Sequence, residues 1–547
     1  VKRKVVIGIS AALHASGVAA QVKLDRADPT IIQRTLPQQK QAEPATSAPA
    51  STSSTISMPP PPITGVVRAI TVEGQDQIPP AEFASAIAPF IGQEMSGAEL
   101  TQLAGAVAEV GRARGFPFAT ATIAAQSLAN GILRVTLDLG QLDAVRVIGA
   151  RNAVADQILA RTLVNGRGVR RVDLERAVAL VGDLPGVRVT DTRYVRQDGF
   201  GILLVTIKQD RASAYLQFDN RGSKEVGPIR STLLASVRGL AQPADELAII
   251  LSQTPFQPSE FAFLRGRYTA AIDRTGTSMS VSASIARSHP GGFLEALDVV
   301  GRSADTAVGI QHPLVRSRAR SLWVSAEFRA LRTDQRLGGQ PLRRDRLTTV
   351  TGAVNGASEF AGGVVRGEVT TVVGLPIEGT TREGSPLASR IDGDARFVTV
   401  GYAVDWTTQL SKPFSIVLAS AGQLASRPLL ATAEIGLGGP AFGRGYDYSE
   451  RTGDEGVAGS LELRADVGRI AGSIVTRAQL YSFVDGGFVD NLRDGIGGGA
   501  LVSTGAGARI GTGGFDWLVE VAFPVNADRF DTGDRRPQVS LRVARAF

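Results

Sequence analysis

Histidine is the side chain most often used to move protons near neutral pH. This chain has three, His14, His289 and His312, scattered along its length. It contains neither a G-x-S-x-G elbow nor an H-E-x-x-H pair, so the sequence indicates no nucleophilic serine and no helical zinc site. With no cysteine there is no disulfide framework and no thiolate metal ligand. The stretch from Gly438 to Gly445 has the outline of a phosphate-binding loop, but Arg444 and Gly445 stand where Lys and Ser or Thr must be. The acidic pair Asp531 and Asp534 falls in a turn-like stretch and reads as solvated. No enzyme, metal or cofactor is indicated.

One constellation remains. Gly436 to Tyr448 form a glycine-rich loop in which Arg444 is flanked by Gly443 and Gly445, which let the backbone turn tightly and approach other groups closely. Downstream, Asp485 alternates with apolar neighbours on the same side as Arg477, Gln479 and Tyr481. If that polar side faces an aqueous interior, the loop can fold inward and set Arg444 against Asp485 in a charge-assisted pair.

The elements that would position these residues are strands. From Ala212 to Phe547 nearly every segment alternates: Met279, Val281, Ala283 and Ile285 interleave with serines, and Leu461 and Leu463 with Ser460, Glu462 and Arg464. A period of two with one apolar face marks a half-buried strand. Segments of ten or more residues with Arg, Asp and Glu on the second face predict a transmembrane β-barrel with a wet lumen, closed because an open edge in lipid leaves backbone groups unpaired. Sixteen antiparallel strands are expected, the eleventh over 414–426, the twelfth over 455–467, and the last ending at the aromatic Phe547.

Ahead of the barrel, residues 65–210 read as two copies of a strand-helix-helix-strand-strand unit, 65–140 and 141–210, with helical spacing in Leu100, Leu103 and Val107 and in Leu174, Val178 and Val181. The first unit is expected to hold helices over 81–91 and 97–114. Residues 42–64, rich in Pro, Ser, Thr and Ala, read as an extended linker, and 21–41 as a short helix tethered by it. Lys2, Arg3 and Lys4 before an apolar run to Ala20 read as a secretory signal peptide, 1–20. The formal net charge of +7 is spread singly along the strands, with no basic face of the kind nucleic acid requires.

These residues together resemble the outer-membrane transporters of two-partner secretion (TpsB, the haemolysin secretion/activation type of ShlB, FhaC and HecB), in the superfamily that includes BamA. Arg112 to Ala119 and Gly131 to Val135 resemble the first periplasmic POTRA domain of that family, and Phe218 to Lys224 the start of its barrel. Gly443, Arg444, Gly445 and Tyr446 resemble the motif of its inward-folded sixth outer loop, where Val is commoner than Gly443. Phe483, Asp485 and Gly487 resemble that loop's partner on the barrel wall. The resemblance implies two POTRA domains in the periplasm and a sixteen-stranded barrel in outer-membrane lipid, acting as a monomer. It implies a plug helix at 21–41 and a secreted TpsA-like exoprotein, haemolysin or adhesin in type, as cargo exported without nucleotide hydrolysis. By analogy the strand with Val187, Val189, Asp191, Arg193 and Val195 is the candidate edge for cargo docking by strand addition. The rival readings are a BamA-like assembly factor, which usually carries more POTRA domains, and a passive porin, which leaves two periplasmic units unexplained.

Overall fold

A computed structural model of the chain describes residues 28–30, 51–52, 65–197, 200–470, 474–493 and 495–547. The expected signal peptide, most of the expected plug helix and most of the linker lie outside the described residues.

The first N-terminal unit holds β1 (Ala69–Glu73), α1 (Gly97–Ala113), β2 (Thr120–Thr122) and β3 (Ile132–Asp138), with β3 central, parallel to β1 and antiparallel to β2. A capping box starts α1: the Ser96 hydroxyl accepts from the Glu99 N–H while the Glu99 carboxylate accepts from the Ser96 N–H. Leu100, Leu103 and Val107 then turn one stripe of the helix onto Leu133, Val135 and Leu137. The helix expected over 81–91 is instead three short turns between Pro80 and Phe90. Pro89 cannot donate its share of an i→i−4 ladder, so no continuous helix forms there.

The second unit repeats the order with β4 (Ala144–Gly149), α2 (Ala153–Leu163), α3 (Arg171–Gly182), β5 (Val187–Gln197) and β6 (Phe200–Gln209). Asn152 caps α2 by accepting from the N–H groups of Val154 and Ala155. In its sheet β6 is central, between parallel β4 and antiparallel β5. The far edge of β5 carries two residues of the linker, Ser51 and Thr52, paired in parallel with Arg193 and Tyr194. Phe118 of the first unit lies within the core of the second, its ring stacked 4.4 Å from that of Tyr194.

Sixteen of the strands that follow form one closed antiparallel barrel. Its last strand, Gln538–Ala546, pairs with its first, Ala212–Asp219, and Phe547 exchanges two backbone hydrogen bonds with Ala214 to complete the seam. The eleventh and twelfth strands are Phe414–Ala425 and Glu455–Gly468. Burial is inverted relative to a water-soluble sheet. On Ser278–Ser288 the outward Val281 and Ile285 are 50% and 61% exposed, whereas Ser280 and Ser284 are buried. Apolar side chains directed outward all round a closed wall belong in lipid, and polar ones inside belong in water.

Three short turns at one end of the barrel meet the second unit. Asn152 Nδ2 donates to the Pro243 carbonyl (3.1 Å), Arg274 Nε to Gln157 (2.7 Å) and Arg316 Nε to Asp183 (2.6 Å). Arg316 is buried and also lies over the Trp323 ring. The long loops, 375–397 and 426–454, therefore emerge at the opposite end.

Phe118→Ala should remove about 3–5 kcal/mol of packing from the junction of the two N-terminal units. Hydrogen exchange in the intact protein should then rise in residues 187–207 while the barrel strands keep their protection. Unchanged exchange in that segment would mean that the units are held together elsewhere.

Candidate functional site: a loop held inside the barrel

The site is built on four adjacent strands whose lumen-facing residues stand in rows. Ser460 faces Asp485, which faces Ser503; in the next row Glu462 faces Phe483, which faces Gly505; in the third Arg464 faces Tyr481, which faces Gly507, which faces Glu520. The two glycines decide how the rows fill. A Cβ at Gly505 would lie 2.6 Å from Phe483 Cζ, so the Phe483 ring rests on bare backbone there. The Tyr481 ring rests on Gly507 in the same way. Guanidinium groups cap both rings, Arg444 over Phe483 at 4.1 Å and Arg509 over Tyr481 at 4.0 Å.

Arg444 arrives on the loop 426–454, which folds back into the lumen and carries its own two-stranded hairpin, Ile435–Leu437 with Arg451–Gly453. Arg444 Nε lies 3.0 Å from Asp485 Oδ2, and Nη1 lies 2.8 Å from Glu462 Oε2 and 3.3 Å from Glu520 Oε2. The expected pair of Arg444 and Asp485 is thus one contact of a larger cluster. Asp485 also holds the loop backbone: its Oδ1 accepts from the N–H of Gly443 (3.0 Å) and of Arg444 (3.2 Å), and from the Ser503 hydroxyl. Glu462 is shared with Arg464 and Arg509, and Glu520 with Arg221 and the Tyr481 hydroxyl. All three carboxylates are almost wholly buried, so each needs its donors.

The neighbouring motif residues have separate roles. Gly443 adopts φ +80°, where a β-branched residue is strained, which gives a physical reason for glycine here. Gly445 packs onto the wall, where a Cβ would lie 2.9 Å from the Pro524 nitrogen. Tyr446 is fully buried, and its hydroxyl accepts from the Ala527 N–H (3.2 Å) and has Asn526 Oδ1 at 3.1 Å. Gly487 admits no side chain, because a Cβ would meet the Val457 carbonyl at 2.5 Å.

Glu462 and Glu520 were not among the residues the sequence singled out, although each alternates with outward apolar neighbours. Period two marks them as lumen-facing; only strand register brings them together. The side chain of Asp531, expected in solvent, is instead covered and paired with Arg529 at 2.8 Å, because the loop that carries it folds against the inward loop. The five residues of the candidate docking edge do not share a face. A bulge between Val189 and Asp191 shifts the alternation, so Val187 and Val189 pack on the core while Arg193 is exposed.

At the outer end of the lumen, Asp28 accepts from the Thr333 hydroxyl (2.7 Å) and, through its other oxygen, from the N–H of Thr30 (2.8 Å). Thr333, Gln335, Arg343, Asp345, Ser389 and Ala431 line the small cleft around it.

Arg444→Ala and Asp485→Ala should each loosen loop 426–454, by about 2–5 kcal/mol for a desolvated charge pair. External protease should cut the loop faster in both variants. The double mutant should fall short of the sum of the singles, because one contact is lost in both. Arg444→Lys should not restore protection, since a point charge cannot address three carboxylates at once. Strictly additive losses would show that the two residues act separately.

Comparison with known proteins agrees with this geometry. A family model described as haemolysin secretion/activation protein ShlB/FhaC/HecB matches residues 201–510, and one for the ShlB-type POTRA domain matches residues 66–140. The chain is 23% identical over 466 residues to the heme/hemopexin transporter protein HuxB of Haemophilus influenzae, covering 82% of each. Among solved structures it resembles CdiB from Escherichia coli (TM-score 0.70, 18% identity, 98% of this chain and 99% of that one). It also resembles CdiB from Acinetobacter baumannii (TM-score 0.61, 16% identity, 97% and 99%). The chain therefore belongs to the ShlB/FhaC/HecB family, the outer-membrane translocators of two-partner secretion, whose POTRA domains lie in the periplasm.

Proposed function

We propose that this chain, as a monomer in outer-membrane lipid, exports one secreted exoprotein of haemolysin or adhesin type. The cargo docks unfolded on the second POTRA unit, threads the lumen and folds outside, so that folding rather than nucleotide hydrolysis gives direction. The observation that carries the reading is how the lumen is filled. The inward loop is held by ion pairs and hydrogen bonds from Arg444, Asp485 and Tyr446 beside the apolar packing of Leu437, Phe442 and Tyr446 on the wall, and Asp28 is held by hydrogen bonds. Water entering an opening lumen can replace the ion pairs and hydrogen bonds among these contacts. A passive pore has no use for a filling that can be released.

For docking, the outer edge of β5 is the candidate, through the exposed Arg193 and its backbone. Ser51 and Thr52 lie along that edge, so cargo pairing there competes with the chain's own linker. A photo-crosslinking residue in place of Arg193 should capture the exoprotein during secretion, as should one in place of Glu368, which faces the lumen opposite the buried Asn355 while Val369 beside it faces outward. Capture at Glu368 without capture at Arg193 would move docking elsewhere. Capture at neither, with secretion intact, would remove the lumen from the path.

Residues 21–41 then act as a removable plug. Deleting residues 21–64 should raise mean conductance in planar bilayers while heat-modifiable migration on gels stays normal. Equal conductance would place the segment outside the conducting path.

A further inference from the structure

At the outer mouth three loops converge on one side chain. Arg390 belongs to loop 375–397, and its guanidinium donates to both oxygens of Asp392 in the same loop (3.1 and 2.9 Å). It also donates to Glu434 and Asp454 of loop 426–454, both at 2.8 Å. From loop 491–498 it takes Asn491 Oδ1 (3.0 Å) and the Leu492 carbonyl (3.3 Å). The side chains of Arg390, Glu434 and Asp454 are 6%, 3% and 0% exposed. Asp454 is a junction in its own right, accepting from the N–H of Leu429 (2.7 Å) and of Leu492 (2.8 Å). A Cβ at Gly495 would lie 2.6 Å from Arg390 Nη2, so glycine gives the guanidinium its seat on the third loop.

Burial by itself would weaken the hold of Arg390 on its proton, but Asp392, Glu434 and Asp454 outweigh it and keep the group charged. Five N–H donors in a planar fork let one residue address all three loops, which a lysine could not do. Beneath this hub the loops bend over the lumen. Ala395, Phe397, Leu429 and Leu430 pack on Leu347 and Leu331, which share the inward face of their strands with Asp345 and Thr333. The residue before the hub, Ser389, donates its N–H to Asp345 (3.0 Å), and its hydroxyl accepts from the N–H of Ala431 (3.0 Å). The same cleft contains Asp28. No contact of Arg390 is shared with Arg444, which sits deeper against the wall on other carboxylates.

We propose that Arg390 is the positioning residue of an outer lid: it clamps three loops across the lumen, and export requires the clamp to release. The lid is a barrier in series with the Arg444 contact. The inference rests on the lumen being the export path, and its first test needs no cargo. In planar bilayers the full chain with Arg390→Ala should open several-fold more often than the unaltered chain, with heat-modifiable migration unchanged. Arg390→Lys should open as often as Arg390→Ala. Opening at the unaltered rate in Arg390→Ala would overturn the lid. For the second test, Glu434→Cys and Asn491→Cys in this cysteine-free chain are joined by a short, reducible thiol crosslinker. Crosslinking should abolish both openings and secretion, and reduction should restore them. Secretion at the uncrosslinked level through verified crosslinked protein would overturn the proposal even if Arg390→Ala failed to fold. Altered openings with no secreted product from the unaltered chain would instead tell against the export reading.

Discussion

A strand that crosses lipid has no water to hydrogen-bond its backbone, so every N–H and C=O must find a partner in another strand. Closure of the sheet is the constraint on which the rest of this structure depends. It fixes the pairing of Gln538–Ala546 with Ala212–Asp219 and brings Phe547 back to Ala214. It also creates a lumen, because alternation sends every second side chain inward. With sixteen strands that lumen is too wide for side chains from the wall alone to fill. The space is occupied by chain: loop 426–454 from the outer end, and Asp28 beside Thr333.

The inward loop is held by a layered arrangement. Glycine on one strand lets an aromatic ring from its neighbour lie down, and the ring then presents a flat face to a guanidinium. Arg444 and Arg509 use the same device two residues apart along the rows, on Phe483 over Gly505 and on Tyr481 over Gly507. Three carboxylates compensate the two cations, together with Arg464 and Arg221, and Arg444, Glu462 and Glu520 each have more than one partner. Such sharing makes the cluster tolerant of one lost contact and sensitive to loss of Arg444, the member that belongs to the loop.

The periplasmic units are joined in a different way. Phe118 enters the core of its neighbour, an apolar contact, whereas the second unit meets the barrel through Arg316 with Asp183 and through side chains on turn carbonyls. Each junction mixes the two kinds of contact: Arg196 pairs with Asp138 across the first, and Ala244 and Ala271 of the barrel pack on the second unit's core at the other.

Periodicity by itself determined the class of structure. Alternation over 212–547 specified inward and outward residues, and the two strand-helix-helix-strand-strand patterns specified the units before them, because both follow from the geometry of one chain segment. Arg444 between two glycines and Asp485 on a polar face were legible for the same reason. Helix 81–91 was not, since Pro89 breaks a ladder that apolar spacing cannot sense. The faces of Val187 to Val195 were not, since a bulge is set by the partner strand. Glu462, Glu520 and Arg390 were each visible as polar residues, but which acids meet which arginine depends on strand register and on loops converging from distant parts of the chain. Those are distances across the barrel, and a one-dimensional pattern carries no information about which lumen-facing rows come to lie side by side.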